Sequence, residues 1–408
     1  MKKHPVHLLF TFSLLLFISL NSCKTSGPDG DSTGVTDDEI VIGSWGPMTG
    51  PAALWGNVVK GIDSYFKLIN DEGGIHGRKI KFIYKDDAYD PSKTVPAVRE
   101  LVQRDEVFAV VGGIGTATNM AVKDFLSENG IPWITPMSGA AAFTHPPSDN
   151  IYSVFPLYYD EGTAMTRYAL EELGATKIGI IYQNDDFGKS GLVASRHVLQ
   201  QGGNDFVASL PAEVMDTDLS SHIARLKSAG AEVVLLWLLP RQAAISLGTA
   251  AVMDYKPKWI ASMVLSDLAL MHDITKGAWE GVIFNYPSRS LYNDENNQRL
   301  MQLRDAFQKY YPEDRWSTFS AAGALWTEIL IEGLKNTGRD LTRESLLKAM
   351  SEMDSFTGTA GITVSFGENK HLGARAVYLM ECISGSEVKV LGDIIESNVD
   401  ISVLAKLH

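Results

Sequence analysis

Val107-Phe108-Ala109-Val110-Val111 runs directly into Gly112-Gly113-Ile114-Gly115-Thr116-Ala117-Thr118. Five apolar residues of strand length read as a buried strand. The glycine-rich loop that follows opens a helix. Backbone N–H groups at a helix start favour an anion, and glycines let it approach. The Thr116 hydroxyl adds a donor. A dinucleotide fingerprint would need a third glycine where Thr118 stands, which weakens that reading. A tight turn without a ligand is the plainer alternative for this loop.

The same alternation extends outward in both directions. Strand-length apolar runs recur at Ile40 to Ser44, Ile80 to Tyr84 and Trp133 to Thr135. Helix-length stretches lie between them. Val58, Ile62, Tyr65, Phe66 and Ile69 fall on one face at spacings of three and four. Pro91 to Arg104 and Ala121 to Glu128 are two more helices. Strand, helix, strand in this order implies a parallel sheet with right-handed crossovers. The pattern restarts after Ile151, with strands at Lys177 to Tyr182, Phe206 to Leu210, Val233 to Leu236 and Trp259 to Ala261. Helices at Asp160 to Leu173, Lys189 to Gln201, Leu219 to Ala229 and Gln242 to Met253 separate them. Three helices follow with little strand between them: Leu300 to Tyr310, Ala321 to Lys335 and Arg343 to Met350. The tail from Ala376 to Ile395 reads as two strands around Ser384-Gly385-Ser386-Glu387. A chain of this length exceeds one ordinary core, and two α/β lobes are expected.

The first residues set the compartment. Lys2, Lys3 and His4 precede an apolar run from Leu8 to Leu20 that is too short to span a bilayer comfortably. Such a start reads as a secretory signal. Residues 1–23 are therefore expected to be a signal peptide, and residues 24–36, rich in Gly, Ser, Thr, Asp and Pro, a flexible tether. The formal charge is −13, and loss of residues 1–23 removes two lysines and no acid, giving −15. Such a surface argues against nucleic acid as a partner. Cys382, the second of two cysteines, sits in an apolar strand-like run and reads as a buried small hydrophobe.

Catalytic signatures are scarce. Gly188-Lys189-Ser190 resembles the end of a phosphate loop, but that motif needs Gly where Gln183 stands. No nucleophile elbow and no His-Glu-x-x-His pair occurs. The histidines are scattered, and His76 sits in a turn as a solvated residue. Asp86 and Asp87 are adjacent on a strand and point to opposite faces, so a shared metal or acid/base site is not expected. No enzyme activity, cofactor or metal is expected.

Four blocks carry a family likeness: Ile42-Gly43-Ser44-Trp45-Gly46-Pro47-Met48-Thr49-Gly50-Pro51 with Leu54-Trp55-Gly56; Ile69-Asn70-Asp71-Glu72-Gly73-Gly74-Ile75-His76-Gly77-Arg78; Asp86-Asp87-Ala88-Tyr89-Asp90-Pro91; and Ile131-Pro132-Trp133-Ile134-Thr135-Pro136. Together they resemble the type I periplasmic binding proteins of the branched-chain amino acid (Leu/Ile/Val) group, the receptors of ABC importers. The likeness covers nearly all of the chain after its first residues. It implies an α/β fold of two doubly wound parallel-sheet lobes joined by three hinge crossovers, closing on ligand. Lobe one is expected at 37–155 plus 287–362, and lobe two at 156–286 plus 363–408. Leu20-Asn21-Ser22-Cys23 resembles a bacterial lipobox, which implies lipidation at Cys23 and an exported, lipid-anchored protein of the cell envelope.

The resemblance also implies a site. Gly115 and Thr116 fall where the family holds an amino acid carboxylate, and Met137, Ser138 and Gly139 lie on the strand end that holds carboxylate and amine. Gly139 replaces a common Thr, and Ser138 can stand in for it. Trp55 matches an aromatic that covers the ligand. On lobe two, Phe187 and Leu239 replace common tyrosines, and Met263 falls where amino acid binders carry the acid that meets the ammonium. Either Asp267, Asp186 or Asp160 supplies that charge, or the ligand has no amino group. The family's usual disulfide is absent, its two positions falling on Tyr89 and Gly115. The expected ligand is a small apolar carboxylate, a hydrophobic amino acid or a deaminated relative, and the expected partner of a monomeric receptor is an ABC-type permease. A sensory protein of the same fold, reporting to a membrane partner, is the alternative.

Overall fold

The computed structural model describes residues 30–288 and 296–408; Cys23 and the signal run lie outside the described residues. The first half alternates as β1 (Glu39–Gly46), α1 (Gly56–Asp71), β2 (Lys79–Asp86), α2 (Pro91–Gln103), β3 (Ala109–Val111), α3 (Thr116–Glu128), β4 (Trp133–Ile134) and β5 (Ile151–Tyr152). These strands form one parallel sheet in the order β2-β1-β3-β4-β5. The apolar face of α1 is buried through Val58, Ile62, Tyr65, Phe66 and Ile69, as its spacing predicts. Helix α2 starts at Asp90, whose side chain accepts from Ser92 N, with Pro91 in the first turn.

The chain then enters a second array: α4 (Tyr158–Glu171), β6 (Ile178–Gln183), α5 (Asp186–Gln201), β7 (Ala208–Ala212), α6 (Ser220–Ala229), β8 (Val233–Trp237), α7 (Pro240–Val252), β9 (Lys258–Ala261), α8 (Leu268–Ile274) and β10 (Ile283–Tyr286). Helices α9 (Gln298–Tyr310), α10 (Thr318–Thr337) and α11 (Arg343–Ser351) follow, then the antiparallel pair β11 (Phe356–Thr357) and β12 (Thr363–Val364), and the tail strands β13 (Ala376–Ser384) and β14 (Glu387–Val390). The second sheet runs β14-β13-β10-β9-β8-β6-β7. It is parallel from β10 to β7, with β13 and β14 antiparallel at one edge.

Helix α10 returns to the first array and crosses α1 closely. A Cβ on Gly61 would collide with the Ser320 carbonyl, and one on Gly323 with the Val58 carbonyl, so glycine at both positions lets the two backbones touch. Cys382 is 1% exposed on β13, as expected of a small hydrophobe, and burial pushes its thiol up to about 12.

Two expectations are corrected. Residues 31–36 are not tether: Asp31 pairs with Arg343, Arg343 N donates to the Asp31 carbonyl at 2.8 Å, and Val41 N donates to the Gly34 carbonyl at 2.8 Å. Polar composition suggested freedom, but the cation that fixes Asp31 comes from the far end of the chain. The last crossing also falls later than residue 362. Ser153 N donates to the His371 carbonyl at 2.9 Å, Gly373 N to the Ser153 carbonyl at 2.8 Å, and the His371 ring stacks on Tyr152. Residues 363–373 thus stay with the first sheet, and the chain reaches the second only at β13. Their single two-residue strand leaves no periodicity from which this could be read.

Candidate functional site

In each sheet the first strand of the array has its two parallel neighbours reached by crossovers in opposite directions, β1 between β2 and β3, and β6 between β7 and β8. Loops at the carboxyl ends of such strands diverge and leave a crevice. The two crevices face one another, and the cavity between them encloses about 530 Å³ of space between atoms, open solvent at its mouth included.

One end is polar. After β3 the chain passes Gly115 at φ +108° and enters α3 with no side-chain cap. The first N–H groups of a helix have no intrahelical acceptor, so α3 opens toward the cavity with donors in hand. A Cβ on Gly115 would fall 2.3 Å from Tyr89 Cε2 and 2.8 Å from Thr118 Oγ1, which together with its φ makes glycine the residue that fits. Thr116 Oγ1 lies 2.8 Å from Ser138 Oγ and donates to Tyr158 Oη at 3.4 Å. Burial raises the Tyr158 phenol well above its ordinary range, so it stays protonated and can donate in turn. The corner therefore combines backbone N–H groups with hydroxyls, a donor set suited to a small anion.

Aromatic rings form much of the remaining wall. Trp55, in the loop after β1, meets Tyr89 edge-on at 5.5 Å between centroids, and its Nε1 donates to the Val264 carbonyl at 3.2 Å, joining the two arrays across the cleft. Asp86 steadies that loop: it accepts from Met48 N at 2.9 Å, Thr49 Oγ1 at 2.7 Å and Ala88 N at 3.0 Å. Burial raises its carboxyl, but these hydrogen bonds, that of Thr49 foremost, outweigh it and hold the group below the usual range. Asp87 points inward to Thr94 Oγ1 at 2.9 Å, and burial pushes it up to about 6. The two acids face apart as expected, although β2 ends at Asp86 and Asp87 lies just beyond it.

On the second array, Phe187 packs edge-on to Tyr158 at 5.0 Å, and Met263 and Val264 follow β9. Met263 is held from behind. Its N–H and the Ser262 hydroxyl donate to Glu161 Oε2 at 2.9 and 2.8 Å, and Asn285 Nδ2 donates to it at 3.1 Å. Burial pushes Glu161 up to about 7.

Of the residues singled out from sequence, Trp55, Gly115, Thr116, Met137, Phe187 and Met263 line the cavity. Four do not. Ser138 stands behind Thr116 as its hydrogen-bond partner. Gly139 packs against the crossing segment, its carbonyl accepting from Tyr158 N at 2.9 Å. Leu239 is buried at the start of α7. Asp267 caps α8 through Leu270 N at 3.1 Å and ties it to α10 through Phe319 N at 3.2 Å. Sequence reasoning missed Tyr89 on a loop, Phe155 on a crossing segment, Tyr158 at the start of α4, Tyr286 at a strand end, and Phe319 and Trp326 on α10. Helix α10 did carry a signal, being apolar around nearly its whole circumference, but nothing local tells a ring that faces a cavity from one that packs a core.

The profile of the family described as "Periplasmic binding protein" matches residues 39–387. This chain belongs to that family. The periplasmic binding proteins are extracytoplasmic substrate-binding receptors, and the two-sheet α/β architecture is their type I fold. Among curated relatives, a Leu/Ile/Val-binding protein homolog 3 of Brucella melitensis is 33% identical over 48% of this chain, a match that spans 53% of the relative. A Leu/Ile/Val-binding protein homolog 1 of Brucella suis is 26% identical over 79% of this chain and 85% of the relative. Three solved structures share the fold of this binding protein. A fatty acid ABC transporter substrate-binding protein of Thermomonospora curvata superposes with TM-score 0.81, at 23% identity over 93% of this chain and 96% of the other. A branched-chain amino acid ABC transporter protein of Thermus thermophilus with bound valine gives 0.80, at 19% over 92% and 100%. A solute binding protein of R. palustris in complex with benzoate gives 0.77, at 20% over 88% and 98%. Among the described residues of this periplasmic binding protein no helix is long and apolar enough to cross a membrane.

Proposed function

We propose that this chain is a solute-binding receptor, not an enzyme, that captures a small apolar carboxylate between its two arrays and delivers it to ABC-type permease subunits. One observation carries the reading: the capless start of α3 and the Thr116 hydroxyl meet the end of an otherwise apolar cavity. The ligands named for the three solved relatives, a fatty acid, valine and benzoate, have a carboxylate in common. Trp55 Nε1 to Val264 O and Phe319 N to Asp267 Oδ2 tie the arrays together across the cleft, so ligand and closure stabilise one another. Lipidation at Cys23 holds the receptor at the cell envelope.

The test is to purify the protein without added ligand, identify what co-purifies by mass spectrometry, and compare small-angle scattering with and without it. A carboxylate that compacts the protein is expected. A saturating ligand that leaves the radius of gyration unchanged counts against cleft closure, and recovery of only a sugar or a polyamine counts against the carboxylate. Cys23→Ser should release the protein from the membrane fraction.

A further inference from the structure

We propose that the ligand of this cleft is an aromatic-bodied carboxylate that carries no amino group. The inference rests on the receptor reading above and narrows its substrate class.

An ammonium taken out of water needs a carboxylate or several acceptors, because leaving it unpaired is costly. Among the described residues seventeen line the cavity, and none of these is Asp, Glu, Lys, Arg or His. The nearby acids Asp267, Asp160, Asp186 and Glu161 lie outside this lining. Asp267 caps α8 and holds Phe319 N. Asp160 is clamped by Arg375, at 3.0 Å from Nε and 2.6 Å from Nη2, and also accepts from Ser397 Oγ at 2.5 Å. Asp186 is half-exposed and lies 3.6 Å from His408 Nε2. Glu161 is fully buried outside the lining, with one oxygen taken by Met263 N, Ser262 and Asn285. The residue that Glu161 supports, Met263, presents a thioether where an ammonium would have to be received.

The same wall suits a ring. Eight of the seventeen lining residues are aromatic. Tyr158 and Phe187 meet edge-on at 5.0 Å, and Phe155 and Trp326 approach to 4.8 Å. Ring edges and faces disposed in this way receive a further ring in offset or edge-to-face contact, beyond the gain from its buried area. Aromatic walls also attract quaternary ammonium groups. Three of the eight rings here are phenylalanines, however, and Ile114, Met137, Met263 and Val264 lie among them, offering a cation no replacement for its hydration. The polar corner at Thr116 then takes the only charge the ligand carries.

The experiment is calorimetry on the full-length protein, stripped of ligand by unfolding and refolding, against matched pairs: 3-phenylpropionate with phenylalanine, and 4-methylpentanoate with leucine. Benzoate, glycine betaine and 3-phenylpropanol complete the panel. Each deaminated acid should bind at least tenfold tighter than its amino acid, the aromatic acids tightest, and the alcohol weakly. Phenylalanine or leucine binding as tightly as its deaminated counterpart, 4-methylpentanoate surpassing both aromatic acids, or betaine surpassing all acids, overturns this inference but leaves the carboxylate receptor standing. An alcohol that matches its acid, or no acid binding at all, overturns both.

Discussion

On the first sheet the loop after β3 brings to the cleft a glycine at positive φ, a threonine hydroxyl and the open end of α3, within two residues of one another. On the second sheet the loops after β6 and β9 bring Phe187, Met263 and Val264, and a nearby carboxylate, Glu161, accepts from the Met263 N–H behind them. Both walls sit at carboxyl strand ends, yet one turns a helix start and the Thr116 hydroxyl to the cleft, and the other turns mainly apolar and aromatic side chains to it. Directional donors fix where a charge sits, and apolar area adds affinity for whatever is attached to it at about 25 cal/mol per Å². On the function proposed above, the first sheet would orient the ligand and the second would select its body.

The sharpest way to break the contrast is Gly115→Ala. The added Cβ meets the Tyr89 ring in a backbone conformation that an L side chain resists. It should cost about 2–4 kcal/mol of stability and abolish binding, read by chemical denaturation and calorimetry. Next is the buried acid of the second wall. The folded-state pKa of Glu161, about 7, lies above the ordinary value of 4.5. The folded protein therefore binds that proton more tightly than the unfolded chain. The stability this contributes is complete below pH ~4.5, declines as pH rises toward the folded value, and is lost above ~7. Glu161→Gln should remove that decline, leaving the variant a few kcal/mol flatter than wild type between pH 5 and 8. Identical pH profiles would mean Glu161 does not hold a proton behind Met263. Thr116→Val keeps shape and removes the hydroxyl. Ligand should weaken by about 1–3 kcal/mol, with overall stability changed less; an unaltered Kd would take Thr116 out of the site. The smallest effect is expected for Trp55→Phe, which removes the Nε1 donor to Val264 together with one ring of the indole. A loss of up to about tenfold in affinity, carried mostly by faster dissociation, would mark that bond as a latch between the arrays.

Much of this was legible in the chain. Periods of two and of three to four placed most of the strands and helices, because a surface helix or a half-buried strand must show its buried face locally. The loop at Gly115 and Thr116 could be read because all its parts are consecutive. The short strands β4 and β5, two residues each, lie at the edge of what such periodicity can mark. The second wall was harder. Asp267, Asp160 and Asp186 looked equally able to meet an amine, and only the folded chain shows Asp160 beneath Arg375, 215 residues away. Tyr89 and Gly115 illustrate the same limit: the resemblance left an absent disulfide at these positions, and the structure fills the gap with a phenol ring against a bare backbone.

By itself, then, the sequence determined the alternating α/β architecture, the glycine loop that opens α3 and the buried character of Cys382, since each depends on neighbours along the chain. The tertiary structure alone decided that residues 31–36 are anchored, that the last crossing waits until after Gly373, and that among the described residues no acid lines the cavity. These are pairings between groups hundreds of residues apart. A buried charge takes whichever partner the fold brings within hydrogen-bond reach, and composition and spacing carry no record of that distance.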